Sequence, residues 1–164
     1  MSGAWLDQGE RQAADLETHV LAAIRTLSRL ECVGETMRHA LNVLAEVAPS
    51  WLLEHMDPLW VQRYEQRFSD FRLPKEEKKR VELAETIGAD GRRLLEEVYQ
   101  ESSLPWLGEL DAIETLRRVW VQHYHAHEQE TPWRADDERP PGALLITSPG
   151  RISKHATVAR GTRP

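Results

Sequence analysis

Histidines at 123, 125 and 127 alternate through HYHAHE, and Glu128, Asp136 and Asp137 follow close behind them. Imidazole and carboxylate together suit zinc or nickel, so this is the stretch whose residue types could hold a metal. Residues two apart on a helix point in different directions, however, and the spacing favours a fraying helix end over convergent ligands. A second chemistry is phosphate binding by KEEKKR, residues 75–80, where Lys75, Lys78, Lys79 and Arg80 are the DNA-binding candidates; the interleaved Glu76 and Glu77 make a solvated helix face the competing reading. Cys32 is the single cysteine and belongs to no CxxC pattern, which reads as a small buried hydrophobe ahead of a nucleophile. The six tryptophans, at 5, 51, 60, 106, 120 and 133, lie mostly on helical stripes, which favours core packing over base stacking.

The elements that must carry these residues are helices. From Ala14 to Ala48, apolar residues fall at Val20, Ile24, Leu27, Leu30, Val33, Met37, Leu41, Leu44 and Ala48, the three-and-four spacing of one long helix. Pro49 disfavours helical geometry at Ala48 and ends it. Ser50 is placed to cap a short helix through Met56, and Asp57 before Pro58 to cap another through LWVQRYEQRF. Pro74 opens a longer helix that keeps its rhythm to Tyr99, with Gly88 and Gly91 on the buried stripe. No strand precedes these glycines, so they predict a close helix crossing and not a phosphate loop. Ser102, Ser103 and Pro105 mark a turn, Trp106 and Leu107 an apolar plug, and Asp111 a cap for a last helix through Tyr124. The expected fold is all-α, an irregular bundle of three longer and two to three short helices. The expected organisation is a flexible N-terminus over 1–13, a helical domain over 14–127, and a loop with a disordered basic tail over 128–164. Within the tail, residues 143–147 have the composition of a short strand without a partner strand.

Composition narrows the function class. The 164 residues are 40% apolar and 29% charged, with mean hydropathy −0.57, as in an amphipathic helical protein with enough apolar residues for one core. No apolar run approaches the ~18 residues of a membrane span, and the N-terminus lacks the basic-then-apolar pattern of a secretory signal. With a lone cysteine, these features predict a cytoplasmic protein with no membrane partner. The net charge of −6 and pI near 5.7 are the wrong sign for a module that grips DNA over its whole surface. Local cation clusters remain, and the tail carries Arg151, Lys154, Arg160 and Arg163 without an acid.

Four blocks, in order, bear a family likeness: THVLAAIRTLSRLECVGETMRHALNVLAEVAPSWLLEH at 18–55, FRLPKEEKKRVELAETIGADGRRLLEEVY at 71–99, LPWLGELDAIETLRRVWVQHY at 104–124, and LLITSP at 144–149. They resemble a bacterial insertion-sequence transposase of the DDE type, whose catalytic domain is RNase H-like, over the helical insertion that follows its first catalytic strand. The resemblance implies transposition by DNA strand cleavage and transfer. It also implies Mg²⁺ or Mn²⁺ held by three separated carboxylates, the first in a short Asp-Ser-Thr-His-Val pattern. Here Asp15 is the tentative counterpart as catalytic and metal-binding residue. The stretch Asp15, Leu16, Glu17, Thr18, His19, Val20 is one residue longer than the pattern, and without a gap Leu16 takes the position. A helix N-cap or first-turn role is the competing reading of Asp15.

After Pro149 the family runs on to Trp-Thr-Gly-Tyr-Lys and the later carboxylates, whereas this chain reads GRISKHATVARGTRP. A frameshift after Pro149 and a truncated fragment are the expectation. Such a fragment is expected to be catalytically inactive on its own and to bind no metal. Its alternative role is a helical interaction module for a full-length transposase or transposon-end DNA, with self-association through bare apolar stripes a further expectation.

Overall fold

A computed structural model describes residues 3–69, 72–100, 102–125, 132–135 and 138. Among these described residues five α-helices follow in order: α1 (Gly3–Val47), α2 (Pro49–His55), α3 (Pro58–Tyr64), α4 (Glu77–Val98) and α5 (Asp111–His123), with a 3-10 helix at Pro105–Glu109 before α5. The fold is all-α, with α1, α4 and α5 the longer members. Among the described residues the single extended pairing is an antiparallel bridge between Tyr124 and Trp133. None of the described helices is long and apolar enough to cross a membrane.

α1 is longer than its apolar stripe predicts, because it begins at Gly3 and not at Ala14. The added turns run through GAWLDQGERQA, mostly strong helix formers that continue a helix already nucleated further on. Residues 8–22 are exposed throughout. Leu30, Val33, Met37 and Leu44 are fully buried on the same helix, and α5, α4, α2 and α3 all pack against this half. α1 is therefore a spine with a packed half and a bare half.

Local caps differ from their sequence signals where proline decides. α2 starts at Pro49, with Ala48 and not Ser50 in the cap position and no side-chain bond there, since proline at the first position needs no donor satisfied. Asp57 does cap α3, its carboxylate accepting from the Leu59 N–H at 2.9 Å. α3 stops at Tyr64, short of Phe68, because the following chain turns across α1. There the Phe68 ring lies on Gly34 and the Phe68 N–H donates to Glu35 Oε1 at 2.7 Å. Asp111 opens α5 from within its first turn, beside Glu114, where negative charge suits the helix dipole.

The α4–α5 crossing is built on the two glycines. A methyl group at Gly88 would meet the Tyr124 ring, and one at Gly91 the Trp120 ring. The closeness lets Trp120 Nε1 donate to the Gly88 carbonyl at 2.8 Å and the Tyr124 hydroxyl donate to the Ala84 carbonyl at 2.7 Å. α3 is tied to α4 through Asp90, whose carboxylate accepts from the Tyr64 hydroxyl at 2.6 Å and pairs with Arg63. Burial raises the Tyr64 phenol above its ordinary range, and the Asp90 charge raises it further. Tyr124 is raised mainly by burial.

Beyond the expected end of the helical domain at 127, Trp133 packs on the core and bridges to Tyr124. The expected strand at 143–147 and the basic tail from 139 onward lie outside the described residues.

This packing can be probed at the crossing and at the buried phenols. Gly91→Ala should destabilise the fold by about 1–3 kcal/mol in denaturant titration, more than Gly9→Ala, whose site on α1 is open. Raised tyrosine pKa values mean that the stability contributed by neutral Tyr64 and Tyr124 is complete below pH ~10 and is lost as pH climbs above it, at about 1.4 kcal/mol per pH unit per tyrosine. Stability should hold between pH 8 and about 10 and fall above that, and Tyr64→Phe should flatten the slope of the fall.

Candidate functional site

Asp15 sits on the bare half of α1, exposed, well inside a helix that starts at Gly3, so an N-cap or first-turn role is excluded. Its neighbours one turn away on the same face are Arg11 and His19. Among the described residues, no three His, Cys, Asp or Glu side chains are grouped so as to hold a metal ion.

The basic run opens α4, and its cations are largely engaged within their own turn. Lys79 Nζ meets Glu76 at 2.8 Å, Lys78 lies 3.9 Å from Glu82, and Arg80 Nη1 donates to the Lys75 carbonyl at 3.0 Å. These are exposed pairs of small individual worth. Close by, Arg67 and Arg72 are exposed and share with Arg63, Gln62, Gln66 and the carboxylate of Glu65 the lining of an open concavity of about 480 Å³. Neither arginine stands out in the sequence, since each is isolated from the KEEKKR run.

His123 and His125 part company at the end of α5. His123, the last helical residue, is buried, and its Nδ1 accepts from Arg29 Nε at 3.3 Å. His125 faces outward. A guanidinium can only donate, so Arg134 Nη1 donates to His125 Nδ1 at 3.2 Å. That leaves the proton on Nε2, which reaches Glu138 at 3.0 Å. The Glu138 carboxyl is held below the usual range, first by the Ala135 N–H and then by His125. The two rings do not converge, as the two-residue spacing predicts. His127, Glu128, Asp136 and Asp137 lie outside the described residues.

The centre of this region is Arg29, which carries no motif of its own. It is buried on α1, lies 4.2 Å over the Trp133 ring and donates from Nη2 to the Arg134 carbonyl at 2.7 Å. Trp133 also stacks on His123, with centroids 5.7 Å apart, and meets Tyr124 edge-on at 5.1 Å. Arg134 Nε donates back to the Tyr124 carbonyl at 2.7 Å. Arg29 thus ties α1, the end of α5 and the 132–135 segment at one point. The sequence signal is a lone charge between Leu27 and Leu30 on an apolar stripe.

Cys32 is half-buried on α1 with its thiol pushed up by burial, as fits a packing residue and not a thiolate nucleophile. Trp51, Trp60 and Trp120 are core residues, whereas Trp106 is 41% exposed beside the buried plug residue Leu107. A second concavity, apolar and about 370 Å³, lies between the C-terminal half of α1, α2 and α3.

No protein-family model, curated protein or solved structure matches this chain.

The Arg29 junction should be costly to break. Arg29→Ala removes the cation under Trp133 and leaves the Arg134 carbonyl and His123 without their donor, so it should cost about 2–4 kcal/mol in equilibrium unfolding. Trp133→Ala should cost about 3 kcal/mol, with the two losses less than additive in the double variant because they share one contact.

Proposed function

We propose that residues 18–149 correspond to the helical portion of an insertion-sequence DDE transposase, and that these residues do not cut or join DNA by themselves. The observation that carries this reading is the order of the four sequence blocks, each resembling that family in turn and together covering most of the chain. Two-metal phosphoryl transfer needs carboxylates clamped around ions ~3.5–4 Å apart. Asp15 stands one residue out of the family's register and on an exposed helical face. A single carboxylate so placed does not make a two-metal site, and in this reading Mg²⁺ and Mn²⁺ belong to the complete enzyme.

A second reading, a helical module that binds a full-length transposase or transposon-end DNA, is favoured by what the helices leave uncovered. Leu16, Val20 and Ile24 are 66, 49 and 53% exposed along α1, and Arg67 and Arg72 stand exposed in the polar concavity. The first is a surface for protein, the second for phosphate.

One assay separates these readings from an active enzyme. Transposon-end DNA incubated with the protein and Mg²⁺ or Mn²⁺ should remain uncut, with Asp15→Ala indistinguishable from the parent. Metal-dependent cleavage that Asp15→Ala abolishes would overturn the inactive reading. Binding of the same DNA that weakens with salt, and weakens more in Arg67→Gln/Arg72→Gln than in Lys78→Gln/Lys79→Gln, would support the module.

A further inference from the structure

We infer that residues 132–135 form an acid-released strap, held at the end of α5 only while the His123 ring carries no charge. The inference rests on the contacts around that ring and not on the kinship to transposases. Two backbone bonds fasten the strap, the His125 N–H donating to the Pro132 carbonyl at 3.0 Å and the Arg134 N–H to the His123 carbonyl at 2.8 Å. Its side chains add Trp133, stacked on the His123 ring and lying against the Arg29 guanidinium, and Arg134, which donates to the Tyr124 carbonyl. His123 is left 5% exposed, with Arg29 of α1 on one nitrogen and Trp133 of the strap against its face.

This enclosure opposes a second proton on the ring in two ways. A guanidinium only donates, so the 3.3 Å contact from Arg29 Nε occupies the lone pair of His123 Nδ1, the atom that must take a proton for the ring to charge. Protonation would set N–H against N–H. It would also place a second positive charge beside a buried guanidinium, where little water screens the pair. Lifting the strap takes Trp133 off both groups and lets water reach them, and an imidazole in water titrates near pH ~6.5. The closed strap therefore binds one proton fewer than the open one. By linkage, closure is complete well above pH ~6.5 and is lost as pH falls below it.

The other charged and titratable groups that the described residues place at this junction do not reverse the sign. Arg134 is a further cation. Tyr124 and the Cys32 thiol are both raised by burial, so neither supplies an anion in this range. Asp90 and Glu85 act on Tyr124 from α4, and Asp90 is engaged with Tyr64 and Arg63. Glu138 meets His125, which also accepts from Arg134, so the outer ring faces one charge of each sign while the inner ring has a cation on its free nitrogen. The Glu138 carboxyl is held below the usual range and stays ionised between pH 5 and 7.

Hydrogen exchange and the NMR titration of the ring, both on the whole chain, test the strap. Protection of the His125 and Arg134 amides, corrected for the intrinsic pH dependence of exchange, should fall roughly eightfold between pH 6 and pH 5. The core amides of Leu94 and Ile113 should keep theirs, and the His123 ring should stay neutral, with its proton on Nε2, until the strap amides are released. His123→Gln, whose amide oxygen can accept from Arg29 without titrating, should hold the strap equally at pH 5 and pH 7, and His125→Gln should behave as the parent. A ring that charges near pH 6.5 with both strap amides still protected would overturn the inference, which is the result that a carboxylate of Glu128, Asp136 or Asp137 set against it would give. Loss of protection at Leu94 and Ile113 in step with the strap would overturn it as well, because acid would then open the whole bundle. So would a His123→Gln strap that is released in acid as the parent's is. The ring titration needs no variant and decides the matter even where a substitution disturbs the packing.

Discussion

Gly88 and Gly91 let the backbone of α4 approach α5 closely enough for Trp120 and Tyr124 to hydrogen-bond to α4 carbonyls. A helix carbonyl already engaged with its own ladder still has a lone pair to offer, and two buried aromatic side chains need a polar partner. The crossing satisfies both demands in one contact. It also sets the position of Tyr124, and with it the bridge to Trp133 that carries the 132–135 segment onto Arg29. A side chain on α4 where these glycines stand would push α5 away, and the cation beneath Trp133 would lose its cover. The buried arginine is therefore held partly through a crossing whose two glycines lie on another helix, α4.

Much of this architecture was legible in the sequence because helical periodicity and proline placement are local signals. The stripe from Leu30 to Ala48, the cap at Asp57 and the close crossing at Gly88 and Gly91 all read directly from residue type and spacing. What escaped was set by contacts distant in sequence. α3 ends early because Phe68 finds Gly34, and Trp133 lies on the core because it finds Arg29. Arg29 itself had no motif to announce it, since its partners lie about a hundred positions away and only the fold brings them near. The N-terminal extension of α1 escaped for the opposite reason: it continues the helix without an apolar stripe, through residues of good helix propensity.

Charge placement shows a similar division. Three cations of the most conspicuous run, Lys78, Lys79 and Arg80 at the start of α4, are engaged with neighbouring carboxylates or a backbone carbonyl, while two isolated arginines line an open concavity instead. Density of charge in a sequence and availability of charge on a surface are different quantities. Paired acids one turn away absorb the first without altering the count, which is how an acidic chain can still offer a local cationic surface.

α1 is one helix in geometry and two in thermodynamics. Between Leu30 and Val47 every turn is locked by burial, so its amides exchange with solvent only when the whole bundle opens. Between residues 8 and 22 the side chains are exposed, so the same hydrogen-bond ladder gains little from burial and opens at lower free energy than the packed half. The two halves lie end to end with no break in backbone geometry to mark the boundary. The boundary lies in protection against exchange, and it falls where Leu27 gives way to Arg29.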